Sequence, residues 1–377
     1  MKILFLIDSL EVGGAERSIL GLAGYFSSQG YNTEIQIYNT WSARLYSLPE
    51  NVKVVWNPLL KFTRPATLIM SYYWKLFPKK KPDLIISFKW LMNYTAAYFA
   101  KKNHIPVIIS ERSNPNRVPG LRNLYLRFHS CIQSVSMVVA LSEDAARIVA
   151  ERFHLRENQT CVIHNPLHFA AVGPDNSVLP QKMPDHYLLA VGRLCPVKGY
   201  PRMLRVFAEV HKHFPDEKLV ICGDGTSRKR IEKIILRLSL TDSVILAGAC
   251  KNIGAYYQHA DALLFTSFYE GQPNVLLEAQ ACGCPPIAFD CDYGPSYLIQ
   301  HQKTGLVIPD GDEDGMAKAV INYLNHPEMK KEFQKNMPEH LKQFAPEKIY
   351  PQWNELIHKI IDERDNFPKQ GKCNSGK

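Results

Sequence analysis

The 377-residue chain lacks any apolar run approaching the roughly 18 uncharged residues that a membrane-crossing helix needs. It also lacks the opening of a secretory leader. Met1 is followed by one Lys and a short apolar run that ends at Asp8, which reads as a first strand, so a soluble or peripheral protein is expected. A disulfide framework is missing as well: nine Cys, an odd number scattered along the chain, suit reduced thiols. Only Cys282, Cys284 and Cys291 cluster, without a fourth ligand at a zinc-like spacing, so small buried core residues are the better reading and no metal site is expected. Acidic charge is scarce in the first half. Residues 1–170 hold 20 Lys and Arg against 11 Asp and Glu, whereas the rest balances at 25 each, so the whole net charge of +9 sits there. A basic half fits an anionic partner, a phosphorylated acceptor or an anionic membrane surface, although basic faces also simply solubilise. Aromatic-basic ribonucleoprotein motifs and metal knuckles are absent, which disfavours a nucleic-acid binder.

What is present is alternation. Short apolar runs alternate with helical patterns from the start, the mark of a parallel sheet wrapped by helices, an α/β class. Strands are expected over 3–7, 34–38, 84–88, 107–110, 138–141 and 161–164, with a helix over 15–29 that Gly30 ends. The pattern lapses around 166–184 into Pro and small residues, as a linker does. A second series follows over 187–191, 219–222, 244–246, 262–266, 286–289 and 306–308, implying two similar doubly wound domains in tandem. After Pro346, Ile349, Trp353, Leu356, Ile357 and Ile360 form a helical stripe that must pack on something.

The chemistry sits at strand ends. Strand one runs into Val12-Gly13-Gly14-Ala15-Glu16 at a helix start, where glycines admit a phosphate and free amides favour negative charge, though tight turning alone also explains them. The three-glycine dinucleotide fingerprint is not there, and strand two ends Ile37-Tyr38-Asn39 without an acidic ribose ligand. The second domain opens with a strand and then Gly192-Arg193-Leu194-Cys195-Pro196-Val197-Lys198-Gly199. Arg193 offers a fork and Lys198 a point charge, together suited to a diphosphate; two stray surface cations are the alternative reading. Gly223-Asp224-Gly225 by itself decides nothing. The most informative stretch is 268–279, with Glu270 in a loop and Glu278, eight residues on, among Val275, Leu276, Leu277 and Ala279 on a helix that Pro273 starts. Such apolar neighbours suggest a partly buried carboxylate with a function, and two carboxylates at different heights can grip ribose and transferred sugar separately.

These residues resemble family 4 of the retaining GT-B glycosyltransferases over nearly the whole chain. The likeness rests on Gly13-Gly14-Ala15-Glu16, on Ser110-Glu111-Arg112-Ser113-Asn114, on the Gly192-Arg193 and Lys198-Gly199 pairs, and above all on Glu270 and Glu278 with Gly271, Pro273 and Asn274. Bacterial members that build lipid-linked oligosaccharides or surface polysaccharides look most similar. The resemblance implies two Rossmann-like domains facing a cleft: 1–170 for the acceptor, a linker at 171–185, 186–345 for the nucleotide-sugar donor, and 346–377 as a helix crossing back to the first domain, then a tail. It implies that Arg193 and Lys198 neutralise the donor diphosphate, that Glu278 hydrogen-bonds ribose, and that Glu270 contacts the transferred sugar. Gly14, Gly271, Asn274 and Val275 complete the donor set, and Glu111 and Arg112 stand on the acceptor side. Many relatives carry His where this chain has Arg112, so that His role is in doubt here and Arg112 is a candidate for an acceptor phosphate. Asp290-Cys291-Asp292 imitates a metal-binding Asp-x-Asp, but it lies in a segment, ending Tyr293-Gly294-Pro295, that GT-B enzymes use to line the donor site without metal. His104, His129 and His164 read as structural or solvated.

The expected activity is thus retaining transfer of a sugar from a nucleoside diphosphate, with UDP favoured on resemblance, to a lipid-linked or polysaccharide acceptor, without metal or cofactor. Fixed cations at the phosphate where negative charge grows are worth most, and no enzyme nucleophile is required. Segment 61–81 joins Tyr72, Tyr73, Trp74, Leu76 and Phe77 to flanking Lys, and 117–128 sets Arg117, Arg122 and Arg127 beside Leu121, Leu124 and Phe128. Both have the look of interface-lying segments; a core helix with a basic outer face is the alternative. A cytoplasmic protein, peripheral on the inner face of the membrane, is expected. The rivals are an epimerase or phosphorylase on the same fold, and a non-catalytic sugar-nucleotide sensor, for which Arg193, Lys198, Glu270 and Glu278 together would be needless.

Overall fold

The computed structural model describes residues 1–10, 13–37, 48–56, 80–112, 130–167, 183–250, 252–292 and 294–366. Most of the segments 61–81, 117–128 and 171–185 lies outside them, as do Val12, Ser113, Asn114, His129 and Tyr293. The chain divides into two compact units, Met1–Ile163 with Glu347–Lys377, and His164–Pro346.

In the first unit the strands are β1 Lys2–Ile7, β2 Asn32–Ile37, β3 Lys53–Trp56, β4 Leu84–Phe88, β5 Val107–Ser110, β6 Met137–Ala140 and β7 Thr160–Val162. All pair in parallel in the order β3-β2-β1-β4-β5-β6-β7. The order reverses between β1 and β4, and such a switch point is where open parallel sheets bind ligands. β1 is covered on both faces, which is why it reads as an unbroken apolar run. Ile3, Phe5 and Ile7 face Ile19, Leu22 and Phe26 of helix Gly14–Ser28, whereas Leu4 and Leu6 face Met92, Ala96 and Ile132. The stripe after Pro346 is helix Pro346–Asn366, and its Ile349, Trp353, Ile357 and Ile360 complete the first of these two cores. Trp353, 2% exposed, lies with its ring 6.1 Å from that of Phe88. β3 is absent from the expectation because four residues, Lys-Val-Val-Trp, at a sheet edge give too short a pattern. The strand expected over 161–164 runs one residue earlier and ends at Val162.

The second unit holds β8 Leu188–Val191, β9 Leu219–Cys222, β10 Val244–Gly248, β11 Ala262–Phe265, β12 Pro286–Asp290 and β13 Leu306–Pro309. They too are parallel, ordered β10-β9-β8-β11-β12-β13, with the switch between β8 and β11. One face buries Leu188 and Ala190 against Met203, Phe207 and Val210 of helix Tyr200–His213 and Val320 of helix Glu313–Asn325. The other buries Leu189 and Leu263 against Tyr257, Leu276 and Leu277. Pro273 stands at the N-cap rather than inside the helix, which runs Asn274–Ala281. Among the described residues, no helix is long and apolar enough to cross a membrane.

At the amino edge of this sheet, burial first and then the Asp261 carboxylate push the Glu217 carboxyl up to about 7, against the pull of His186, the Leu188 amide and Lys330. His186 Nδ1 and Lys330 Nζ already engage Asp261 at 3.3 and 3.2 Å. A carboxyl whose pKa is raised by folding stabilises the folded state at low pH, and that contribution is lost as pH rises through the folded value. Glu217→Gln should therefore gain melting temperature relative to the natural protein as pH goes from about 5 to about 8. A pH-independent difference by scanning calorimetry would refute the assignment.

Candidate functional site

The carboxyl ends of β8 and β11 flank the switch point of the second unit, and the two loops leaving them carry Lys198 and Glu270. After Val191 the chain turns through Gly192, passes exposed Arg193, and closes a 3-10 turn, Pro196–Lys198. Two glycines make this compaction possible. Gly223 has φ 148°, and a Cβ there would collide with the Gly192 carbonyl oxygen. Gly199 has φ 67°, and a Cβ there would collide with the Thr266 carbonyl oxygen. With Gly199 in place, Thr266 Oγ1 donates to the Lys198 and Gly199 carbonyls at 3.1 and 3.3 Å, and the Phe268 amide donates to Val197 O at 2.8 Å. The two loops are thereby laced together.

Lys198 Nζ meets Glu270 Oε1 at 2.6 Å, with the two side chains 21% and 17% exposed. Glu278 lies apart from this pair on the buried face of its helix, 4% exposed, where the Tyr257 hydroxyl donates to Oε2 at 3.4 Å. Asn274 Oδ1 accepts from Asn165 Nδ2 at 3.2 Å, and Asn165 in turn exchanges backbone hydrogen bonds with the Gln272 side chain at 2.8 and 3.2 Å. Asn274 Nδ2 is buried with no hydrogen-bond partner among the described residues. Gly271 and Val275 are half-buried beside them. Asp290 of the Asp-x-Asp look-alike accepts from the Ser296 amide at 3.2 Å, Cys291 is buried, and Asp292 bridges to Tyr269 through the backbone. Burial pushes the Cys282 and Cys291 thiols up to about 12, so both stay protonated.

The remaining expected residues belong to the first unit. Gly14 is the first residue of its helix, after extended Gly13. Glu16 turns back over Gly13 and meets Lys89 Nζ at 2.5 Å; Lys89 also holds Asp8 at 2.8 Å. Burial pulls the Lys89 ammonium down, but the Asp8 and Glu16 carboxylates more than offset this and leave it above its usual value. Lys89, with φ 71°, follows β4, so this cluster stands at the first unit's own switch point. Glu111 and Arg112 follow β5. Glu111 lines a small cavity with Asn93, Tyr94, Ile132 and Phe153. The Arg112 guanidinium stacks 4.1 Å from the Phe88 ring centroid and 5.7 Å from that of Trp353. Burial lowers its pKa to about 9, against the charge of Glu111, which still leaves a cation at neutral pH. His104 ends its helix in a left-handed conformation, whereas His164 belongs to the second unit, where its ring packs edge-on against Phe344.

The chain also has relatives among known proteins. Residues 12–170 match Glycosyltransferase Family 4 and residues 175–340 match Glycosyl transferases group 1. The amylovoran biosynthesis glycosyltransferase AmsD of Erwinia amylovora is 30% identical over 365 residues, 95% of this chain and 99% of that protein. The chain belongs to the GT-B glycosyltransferases of family 4. A second relative of the transferase is the GalNAc-alpha-(1->4)-GalNAc-alpha-(1->3)-diNAcBac-PP-undecaprenol alpha-1,4-N-acetyl-D-galactosaminyltransferase of Campylobacter jejuni, 29% identical over 96% of this chain and 99% of that one. Its fold is shared by Anabaena HepE, solved with UDP and glucose, at TM-score 0.79 and 20% identity, covering 95% of this chain and all of that one.

Several groups at the two candidate sites escaped the sequence reading: Arg202, Tyr257, Asn165 and Gln272 in the second unit, Asp8 and Lys89 in the first. Only Arg202 left a signal, an arginine at helical spacing from Val206 and Val210 on the apolar face of its helix. Gly199→Ala tests the lacing of the loops. It should cost about 2 kcal/mol through the left-handed backbone and the collision with Thr266, lowering the melting temperature by roughly 4–8 °C. A variant that melts with the natural protein would mean the loops can part freely.

Proposed function

We propose that the transferase moves a sugar from a UDP-sugar to a lipid-linked or polysaccharide acceptor, with retention at the anomeric carbon and without a metal ion. The observation that carries this is the Lys198–Glu270 pair, 2.6 Å apart at the switch point of the second unit. A sugar nucleotide joins a diphosphate to a ring of hydroxyls, and a cation beside a carboxylate is complementary to that junction. Lys198, with Arg193 on the same loop, takes the phosphate oxygens. Glu270 accepts from a sugar hydroxyl, Gly271 and Asn274 line its loop, and Glu278, beside Val275 on its helix, accepts from ribose. Gly14 offers a backbone amide at a helix start, and Glu111 and Arg112 serve the acceptor.

The charges explain the catalysis. As the bond from anomeric carbon to phosphate lengthens, negative charge grows on the β-phosphate, and pre-placed cations stabilise it more than they stabilise the ground state. The acceptor hydroxyl attacks from the side of the leaving group and a phosphate oxygen takes its proton. UDP as donor nucleotide is supported by HepE, solved with UDP and glucose. The acceptor class is supported by the undecaprenol-linked substrate in the name of the Campylobacter relative, and its alpha linkage fits retention from an alpha-linked donor. In this reading 1–170 handles the acceptor, 171–185 is the linker, 186–345 binds the donor and 346–377 returns to the first domain. The basic first half, with segments 61–81 and 117–128, holds the transferase at the cytoplasmic face of an anionic membrane.

A thermal-shift screen of UDP-, GDP- and ADP-sugars tests the donor site. A UDP-sugar at about one hundred times its Kd should raise the natural protein's melting temperature by roughly 5 °C or more, and Glu278→Ala and Arg193→Ala should each abolish the shift. No shift from any of the three at millimolar concentration would remove the donor assignment. Flotation with liposomes tests the membrane reading: the protein should rise with anionic vesicles and stay down with neutral ones, and failure to float with either would overturn it.

A further inference from the structure

Arg202 is 3% exposed, an unusual place for an arginine, and each nitrogen of its guanidinium has a partner. Nε donates to Thr266 O at 2.7 Å and Nη2 to Ser267 O at 2.5 Å, while Nη1 meets Asp310 Oδ1 at 2.7 Å. The rings of Phe268 and Phe289 lie 4.2 and 4.4 Å from Cζ. The two carbonyls come just after β11, which ends at Phe265, so the strand ladder no longer supplies them with donors. A buried carbonyl left without a donor is costly, and one planar fork serves both. Thr266 and Phe268 are in turn the residues bonded to the Lys198 loop.

We infer that Arg202 is a positioning residue for sugar transfer: from beneath the site it fixes Thr266 and Ser267, and through them sets Glu270 and Lys198 at their spacing. The inference rests on the donor reading above for its consequence, not for its geometry. Asp310 supplies the countercharge, and the two rings hold the guanidinium plane. Lysine cannot take over, because a point charge cannot serve two carbonyls and a carboxylate in one plane beside two aromatic rings.

The test compares Arg202→Lys with Val206→Ala, a pure core truncation one turn further along the same helix face. Amide exchange is read without ligand, and affinity with UDP as the probe. In Arg202→Lys, exchange at Lys198, Gly199, Phe268 and Glu270 should quicken by about tenfold or more with β8 and β9 still protected, and UDP affinity should fall by about tenfold. Val206→Ala should lower the melting temperature while leaving local exchange and UDP affinity as in the natural protein. Unchanged exchange in the two loops of Arg202→Lys, or acceleration spread evenly over the second unit in both variants, would overturn the inference. Should the natural protein bind none of UDP, GDP and ADP, the donor reading falls, while the exchange data still decide what Arg202 does.

Discussion

Parallel strands release their last carbonyls at one edge of the sheet, and in the second unit of this transferase the buried guanidinium of Arg202 receives those of Thr266 and Ser267. Much else follows from that joint. It needs a glycine at 199, because any side chain there would strike the Thr266 carbonyl, and it needs an acid at 310 to balance the buried charge. With the carbonyls held, Thr266 and Phe268 can tie the loop after β8 to the loop after β11. A buried charge with one partner is a liability; one with two carbonyls, a carboxylate and two aromatic faces is a rigid support.

On that support stands the Lys198–Glu270 pair. Its members are partly exposed, so the attraction adds little to folding, yet it holds both side chains together at the switch point. Glu278 has the opposite character. It is buried within its own helix and oriented by Tyr257, which leaves a carboxylate of fixed direction rather than a mobile one. Burial thus separates the two glutamates: one stands partly exposed on a loop, the other is buried on a helix.

The first unit repeats the principle with different residues. Its switch point, between β1 and β4, is closed by Lys89 bridging Asp8 and Glu16, with Lys89 itself in a left-handed backbone conformation. Strain of that kind persists only where surrounding contacts hold it. The core beneath is completed from the far end of the chain, where Trp353 and Ile357 bury against the same sheet face as Phe5 and Phe88. Arg112 gains its stacking partners in the same way, one from β4 and one from that last helix.

The sequence by itself determined the alternation of strands and helices, the glycine turns after β1 and β8, and the candidacy of Lys198, Glu270 and Glu278, because hydrophobic period and turn chemistry are local properties. The stripe Ile349 to Ile360 announced that a face had to be covered, while its return to the first domain was expected only from the family resemblance. β3 was illegible because four edge residues carry no period, and the joints at Arg202 and Lys89 were illegible because their partners come from distant points of the chain: Thr266 and Asp310 for one, Asp8 and Glu16 for the other. Only the parallel sheet, by bringing strand ends from across the sequence to a single edge, decided which charges meet. Electrostatic partnership depends on distance in space, and that distance exists only once the sheet has formed.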